Sequence, residues 1–157
     1  MKKGTWKTYA LWILIAEAVG ALSGWLSREG VEAYNAAGIA PTFSPPAIVF
    51  PIVWSVLYAL MGISAARVWL SQESSARSAG LNLYVAQLVV NFFWSLLFFN
   101  LQAYGFAFFW LILLWVLVAG MILAFYHVDR VAAWLQIPYL LWLTFAAVLN
   151  AAVWLRN

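Results

Sequence analysis

The sequence predicts an all-α integral membrane protein, a compact bundle of five transmembrane helices in one domain, and three observations predict it. Of its 157 residues, 67% are hydrophobic and only 8% are charged. Mean hydropathy is +0.92. Five apolar stretches, separated by short polar breaks, are each long enough to span a bilayer, which takes about 20 residues of helix. A water-facing surface needs about a quarter of its residues charged. This chain has too few charges to cover one, so its solvent is lipid.

The first stretch runs from Thr8 to Ser27, the second from Ala47 to Leu70 and the third from Leu81 to Phe99. The fourth runs from Tyr104 to His127 and the fifth from Ala132 to Leu155. Helices are required here, because a backbone in lipid must satisfy its own polar groups. The breaks carry turn residues: Ser71 to Arg77, Asn100 to Gln102 and Val128 to Arg130 are all short, so successive helices pack antiparallel. Arg28 to Pro46 is longer, with Gly30, Gly38, Pro41, Pro45 and Pro46. A connection of that length in so small a bundle reads as a functional loop, a lid.

Basic residues set the orientation. Lys2, Lys3, Lys7, Arg67, Arg77 and Arg130 fall on one side, Arg28 and Arg156 on the other. The positive-inside rule then places the N-terminus in the cytoplasm. The first stretch reads as a retained span and not a cleaved leader, because it carries Glu17 and packing glycines. No targeting signal is evident, so a bacterial plasma membrane is expected. A formal charge of +3, with no basic run, argues for topology and against nucleic-acid binding.

Several reaction classes drop out. There is no cysteine and only one histidine, His127, so no metal or bound cofactor is expected. His127 reads as a solvated residue at a helix end. No Ser-His-Asp set or carboxylate pair is present to run hydrolysis or group transfer, and no catalytic residue is assigned.

The tryptophans carry more information. Trp6, Trp25, Trp69, Trp134 and Trp154 sit near helix ends, as an aromatic belt requires. Trp54, Trp94, Trp110, Trp115 and Trp142 lie deeper, where an indole N–H wants an acceptor. For Trp110 and Trp115, lipid-facing bulk is an equal alternative. On the third span Gln87, Asn91, Ser95 and Phe98 share one face, with Trp94 at its edge. On the fifth, Trp142, Ala146 and Asn150 repeat every four residues, with Phe145 and Leu149 beside them. Such amides act either as glue between helices or as the polar contacts of a pocket. A flat aromatic wall beside a few amides suits a planar amphipathic ligand. Ala16, Gly20 and Gly24 form a small-residue step on the first span, equally suited to packing within the chain and to dimerisation.

Three segments resemble one known family. They are Pro45-Pro46-Ala-Ile-Val-Phe-Pro-Ile-Val-Trp54-Ser-Val-Leu-Tyr58, Gln87-Leu-Val-Val-Asn91-Phe-Phe-Trp94-Ser-Leu-Leu-Phe-Phe99 and Pro138-Tyr139-Leu-Leu-Trp142-Leu-Thr-Phe145-Ala-Ala-Val-Leu-Asn150. Their order and spacing resemble the translocator protein family of tryptophan-rich sensory proteins. The resemblance implies a five-helix bundle, often a homodimer, with a pocket open toward the long loop. It implies a tetrapyrrole ligand such as protoporphyrin IX, and light-dependent porphyrin breakdown through pocket tryptophans, which Trp54 and Trp142 match. Asn91, Trp94, Phe145, Ala146 and Ala147 match other pocket positions. The full expected ligand set is Trp54, Tyr58, Gln87, Asn91, Trp94, Phe98, Trp142, Phe145, Ala146 and Asn150. Tyr34, Phe43, Pro45 and Pro46 are expected on the lid, and Arg28 near the ligand's acidic groups. In the lid the chain departs from the family pattern: Ala33-Tyr34, Ala40-Pro41 and Phe43 stand where the family has Trp-Tyr, Lys-Pro and Trp. Asn150 is followed by Ala151, so the animal sterol motif is not expected.

Glu17 supports an alternative. It is the one ionisable residue deep in a span, and such residues are functional candidates. Ile15-Ala16-Glu17-Ala18-Val19-Gly20 resembles the first helix of small proton-coupled multidrug exporters, which would make Glu17 the proton carrier.

Overall fold

The computed structural model describes residues 4–157; Lys2 and Lys3, counted above on the basic side, lie outside the described residues. Among the described residues, five helical segments are long and apolar enough to cross a membrane. The helices are α1 (Thr5–Leu26), α2 (Arg28–Ala37), α3 (Val49–Trp69), α4 (Ser75–Ser95), α5 (Tyr104–Tyr126), α6 (Arg130–Leu135) and α7 (Ile137–Arg156). α4 runs on into one π-helical turn, Leu96–Asn100.

Three boundaries differ from those expected. The first connection is not a loop throughout, because its first half is the helix α2. Its stretch Arg28–Ala37 is rich in Ala and Glu, which favour helix, and the prolines begin only at Pro41. Gly38 closes α2 with a φ of 65°, the left-handed cap that glycine adopts without strain. The third span starts at Ser75, ahead of its apolar run, because the Ser74 hydroxyl accepts the Arg77 N–H at 3.1 Å and caps the helix. The fifth segment is broken at Gln136. Pro138, in the first turn of α7, lacks the N–H that would continue α6.

Glycines set the helix spacing. A Cβ on Gly62 would lie 2.4 Å from the Ile13 Cα, so α1 and α3 meet backbone to backbone. On α1, Gly20 lies under the Tyr58 ring, whereas Gly24 faces open space. The small-residue step is therefore split along α1: Gly20 is packed on α3, and Gly24, one turn further on, is not. α4 packs on α5, and α5 also packs on α7. The core holds Met61, Leu111, Leu114, Val118, Met121, Phe125 and Leu143 at its centre.

One end of the bundle is clamped by charge. Arg67 on α3 donates to Asp129 from both Nε (3.0 Å) and a terminal nitrogen (3.3 Å). Asp129 also caps α6, accepting the Ala132 N–H at 3.2 Å. Arg77 donates to the carbonyls of Val68 and Trp69, so four chain segments meet here. Replacing Asp129 by alanine removes a cap, worth ~1 kcal/mol, and a half-exposed ion pair, worth up to ~1 kcal/mol. The expected result is an apparent Tm lower by a few degrees, read by thermal unfolding in detergent, with ligand binding retained.

Candidate ligand-binding groove

α3 packs mainly on α1, and α7 mainly on α5, so α3 and α7 stand apart over part of their length. Between them lies a groove of about 510 Å³. Ile52, Val53, Val56, Leu57 and Leu60 line it from α3, and Pro138, Leu141, Trp142 and Phe145 from α7. Ile52, Val56 and Leu141 are exposed, so the groove opens sideways on the outer surface. Its walls are built by helical repetition: Val53, Leu57 and Leu60 lie at i, i+4 and i+7, and so do Pro138, Trp142 and Phe145.

An aromatic corner adjoins the groove at Trp142. The rings of Trp54 and Trp142 meet edge to face, with centroids 6.5 Å apart and planes at 89°. Phe50 packs on Trp142 at 5.7 Å, and Phe145 packs on it at 5.5 Å. The Trp142 indole N–H is buried and finds no acceptor among the described residues. Groups in that state want a partner, and Trp142 is itself one of the residues that line the groove.

Behind the corner a chain of hydrogen bonds crosses the bundle. The Tyr58 hydroxyl donates to Asn91 Oδ1 at 2.8 Å, Asn91 Nδ2 donates to the Tyr139 oxygen, and Tyr139 donates to Gln87 Oε1 at 2.8 Å. This chain ties α3, α4 and α7 together. Trp54 rests against both tyrosines, at 5.6 Å from Tyr58 and 6.1 Å from Tyr139. All four polar residues are buried.

A second aromatic cluster lies at the far end, below α2. Trp94 stacks on Phe98 at 5.2 Å and donates its N–H to Asn150 Oδ1 at 3.1 Å. Asn150 Nδ2 in turn donates to the Tyr104 carbonyl at 2.8 Å. α2 is seated on the π turn: a Cβ on Gly30 would lie 2.7 Å from the Phe99 carbonyl. Tyr34 packs on Phe98 (5.5 Å) and Phe99 (5.3 Å). Burial, and secondarily Tyr104, pushes its phenol pKa up.

The residues expected around one ligand therefore separate into three groups. Trp142 and Phe145 line the groove, and Trp54, which is not among its lining residues, packs on Trp142. Tyr58, Gln87 and Asn91 form the polar chain behind, and Ala146 is buried in the core. Trp94, Phe98 and Asn150 belong to the cluster under α2. Asn91 and Asn150, both in the expected ligand set, are engaged between helices. In the lid, Phe43 is exposed, Pro46 is exposed and Pro45 is half-buried, and none of them lines the groove. Arg28 lies over the Trp25 ring at 4.3 Å and donates to the Trp25 carbonyl, also away from it. Glu17 lies on α1, outside the groove lining.

Two of the remaining tryptophans have partners. Trp110 donates to the Val90 carbonyl at 2.7 Å, so it faces α4, and Trp115 donates to Thr144 at 3.0 Å. The groove residues missed from sequence are Ile52, Val53, Val56, Leu57, Leu60, Pro138 and Leu141, and Tyr139 of the polar chain was missed with them. Their spacing on α3 and α7 is the signal that would have found the groove walls.

The TspO/MBR family model matches residues 12–155, nearly the whole chain. The chain belongs to the TspO/MBR family. It is 39% identical to the protein CrtK of Rhodobacter capsulatus over 118 residues, 74% of each chain. It is 33% identical to the tryptophan-rich protein TspO of Chlorobaculum tepidum over 150 residues, 93% of each. The human translocator protein is 35% identical over 153 residues, 94% of this chain and 89% of that one. As a TspO/MBR member with five apolar spans, it is an integral membrane protein. The segments that carried the resemblance, on α3, α4 and α7, are those that build the aromatic corner and the polar chain.

Proposed function

We propose that this protein is a membrane receptor or sensor that binds a planar apolar ligand, a tetrapyrrole such as protoporphyrin IX, in the groove between α3 and α7. One observation carries the reading. An apolar groove of about 510 Å³, within the usual range for ligand pockets, is lined by Trp142, whose ring meets Trp54 and whose buried indole N–H has no acceptor among the described residues. Apolar walls take the macrocycle face, Phe50 and Phe145 flank it, and the Trp142 N–H bonds an acceptor at its edge. Family membership and relatives named translocator and tryptophan-rich sensory protein support a binding role. A part in porphyrin trafficking or breakdown follows from such binding.

We also propose a bacterial plasma membrane with the N-terminus on its cytoplasmic side, which the placing of the basic residues supports. Lys7, Arg67, Arg77 and Arg130 gather at one end of the bundle, and Arg28 and Arg156 at the other. A homodimer would have Gly24 available for close approach, since it faces open space.

Titration of the purified protein with protoporphyrin IX, followed by tryptophan fluorescence, tests the proposal. Saturable quenching is expected, with affinity reduced at least about tenfold in Trp142→Phe, because the donor is lost from a buried site. Linear, non-saturating quenching, or an unchanged affinity in the variant, overturns it.

A further inference from the structure

The polar chain behind the groove has an open end. Gln87 accepts from Tyr139 through Oε1, but its Nε2 has no acceptor among the described residues. One turn back along α4 is Tyr84, and one turn back from Tyr139 is Gln136, at the break between α6 and α7. α4 and α7 belong to the third and fifth spans, which run in the same direction, so both steps lead to the same level of the bundle. There the Tyr84 hydroxyl, and both Nε2 and Oε1 of Gln136, also lack partners among the described residues. Tyr84 is 1% exposed, and Gln87 and Gln136 are 0% exposed.

Buried polar groups in native proteins are nearly all bonded, to protein or to ordered water. A buried water commonly makes about three hydrogen bonds to groups that have no other partner. The set is complementary to water: Gln87 Nε2 and Gln136 Nε2 donate, Gln136 Oε1 accepts, and the Tyr84 hydroxyl does either. We propose that Tyr84, Gln87 and Gln136 form an internal water-binding site, which extends the Tyr58–Asn91–Tyr139–Gln87 chain to the helix break. The bundle would then carry a hydrated polar track, running from beside Trp54 toward the end held by Arg67 and Asp129. Its bound water would also tie α4 to the broken last span.

The sign of a stability change tests this. Removing an orphaned buried hydroxyl raises stability, whereas removing one that holds a bound water lowers it. Tyr84→Phe deletes only the hydroxyl, and Gln136→Met keeps the side-chain length. Each is expected to lower the apparent Tm by about 2–4 °C. The double variant should lose less than the sum, because both residues hold the same water. A Tm that rises or stays level in Tyr84→Phe, or strictly additive losses, overturns the proposal. Tyr84→Phe decides the matter even if Gln136→Met fails to fold. In a crystal structure that resolves other buried waters, a density peak within hydrogen-bond distance of Gln136 is expected, and its absence also overturns the proposal.

Discussion

Replacing Gly62 by leucine is expected to cost about 3 kcal/mol or more and to lower the apparent Tm by roughly 6–12 °C. The position has no room for any side chain. A Cβ there would lie 2.4 Å from the Ile13 Cα and 2.7 Å from its nitrogen. Both are backbone atoms, so no rotamer change relieves the clash and α1 must move off α3. Moving α1 also lifts Gly20 from the Tyr58 ring. Tyr58 is the donor that starts the polar chain, so the damage reaches Asn91. Gly24→Leu is the control further along α1, where nothing lies within 4 Å. Its Tm should hold or rise slightly, since leucine favours helix over glycine by ~0.8 kcal/mol. Thermal unfolding of both variants in detergent reads the contrast, and equal losses in the two would contradict this packing.

The second large effect is on binding alone. Val53 lines the groove from α3 and is only partly buried, so it has space on the groove side. Val53→Trp would place an indole where the macrocycle is proposed to lie. Protoporphyrin IX affinity is expected to fall at least about 30-fold, equivalent to ~2 kcal/mol, while the apparent Tm stays within about 2 °C of the parent. Titration by tryptophan quenching measures the first and thermal unfolding the second. Full affinity in a folded Val53→Trp protein would place the ligand elsewhere.

The spans were legible because the bilayer imposes a length and an apolar composition that the sequence displays directly. α2 was not, because Gly30, Gly38 and the prolines of the connection read as punctuation, while its helix is held by docking on the π turn below it. The break at Gln136 was signalled by Pro138, yet it lay inside an apolar run that looked continuous. Gln87 and Asn91 announced an interior face by their spacing. Their partners did not, because Tyr58 and Tyr139 come from other spans, and only the packed bundle sets which hydroxyl reaches which amide. For the same reason the residues expected around one ligand divided among a groove, a polar chain and a cluster under α2. Trp54 and Trp142 were legible as a pair through the family resemblance. That their rings touch is a property of the fold.

The groove between α3 and α7 is the proposed ligand seat. Crystals grown with zinc protoporphyrin IX would locate it directly, since the zinc marks the macrocycle centre in an anomalous difference map. A zinc peak in the groove, between Val53 and Trp142, is expected. A peak outside it, beneath α2 among Trp94 and Phe98 or on the outer face of α1, would overturn the proposed seat.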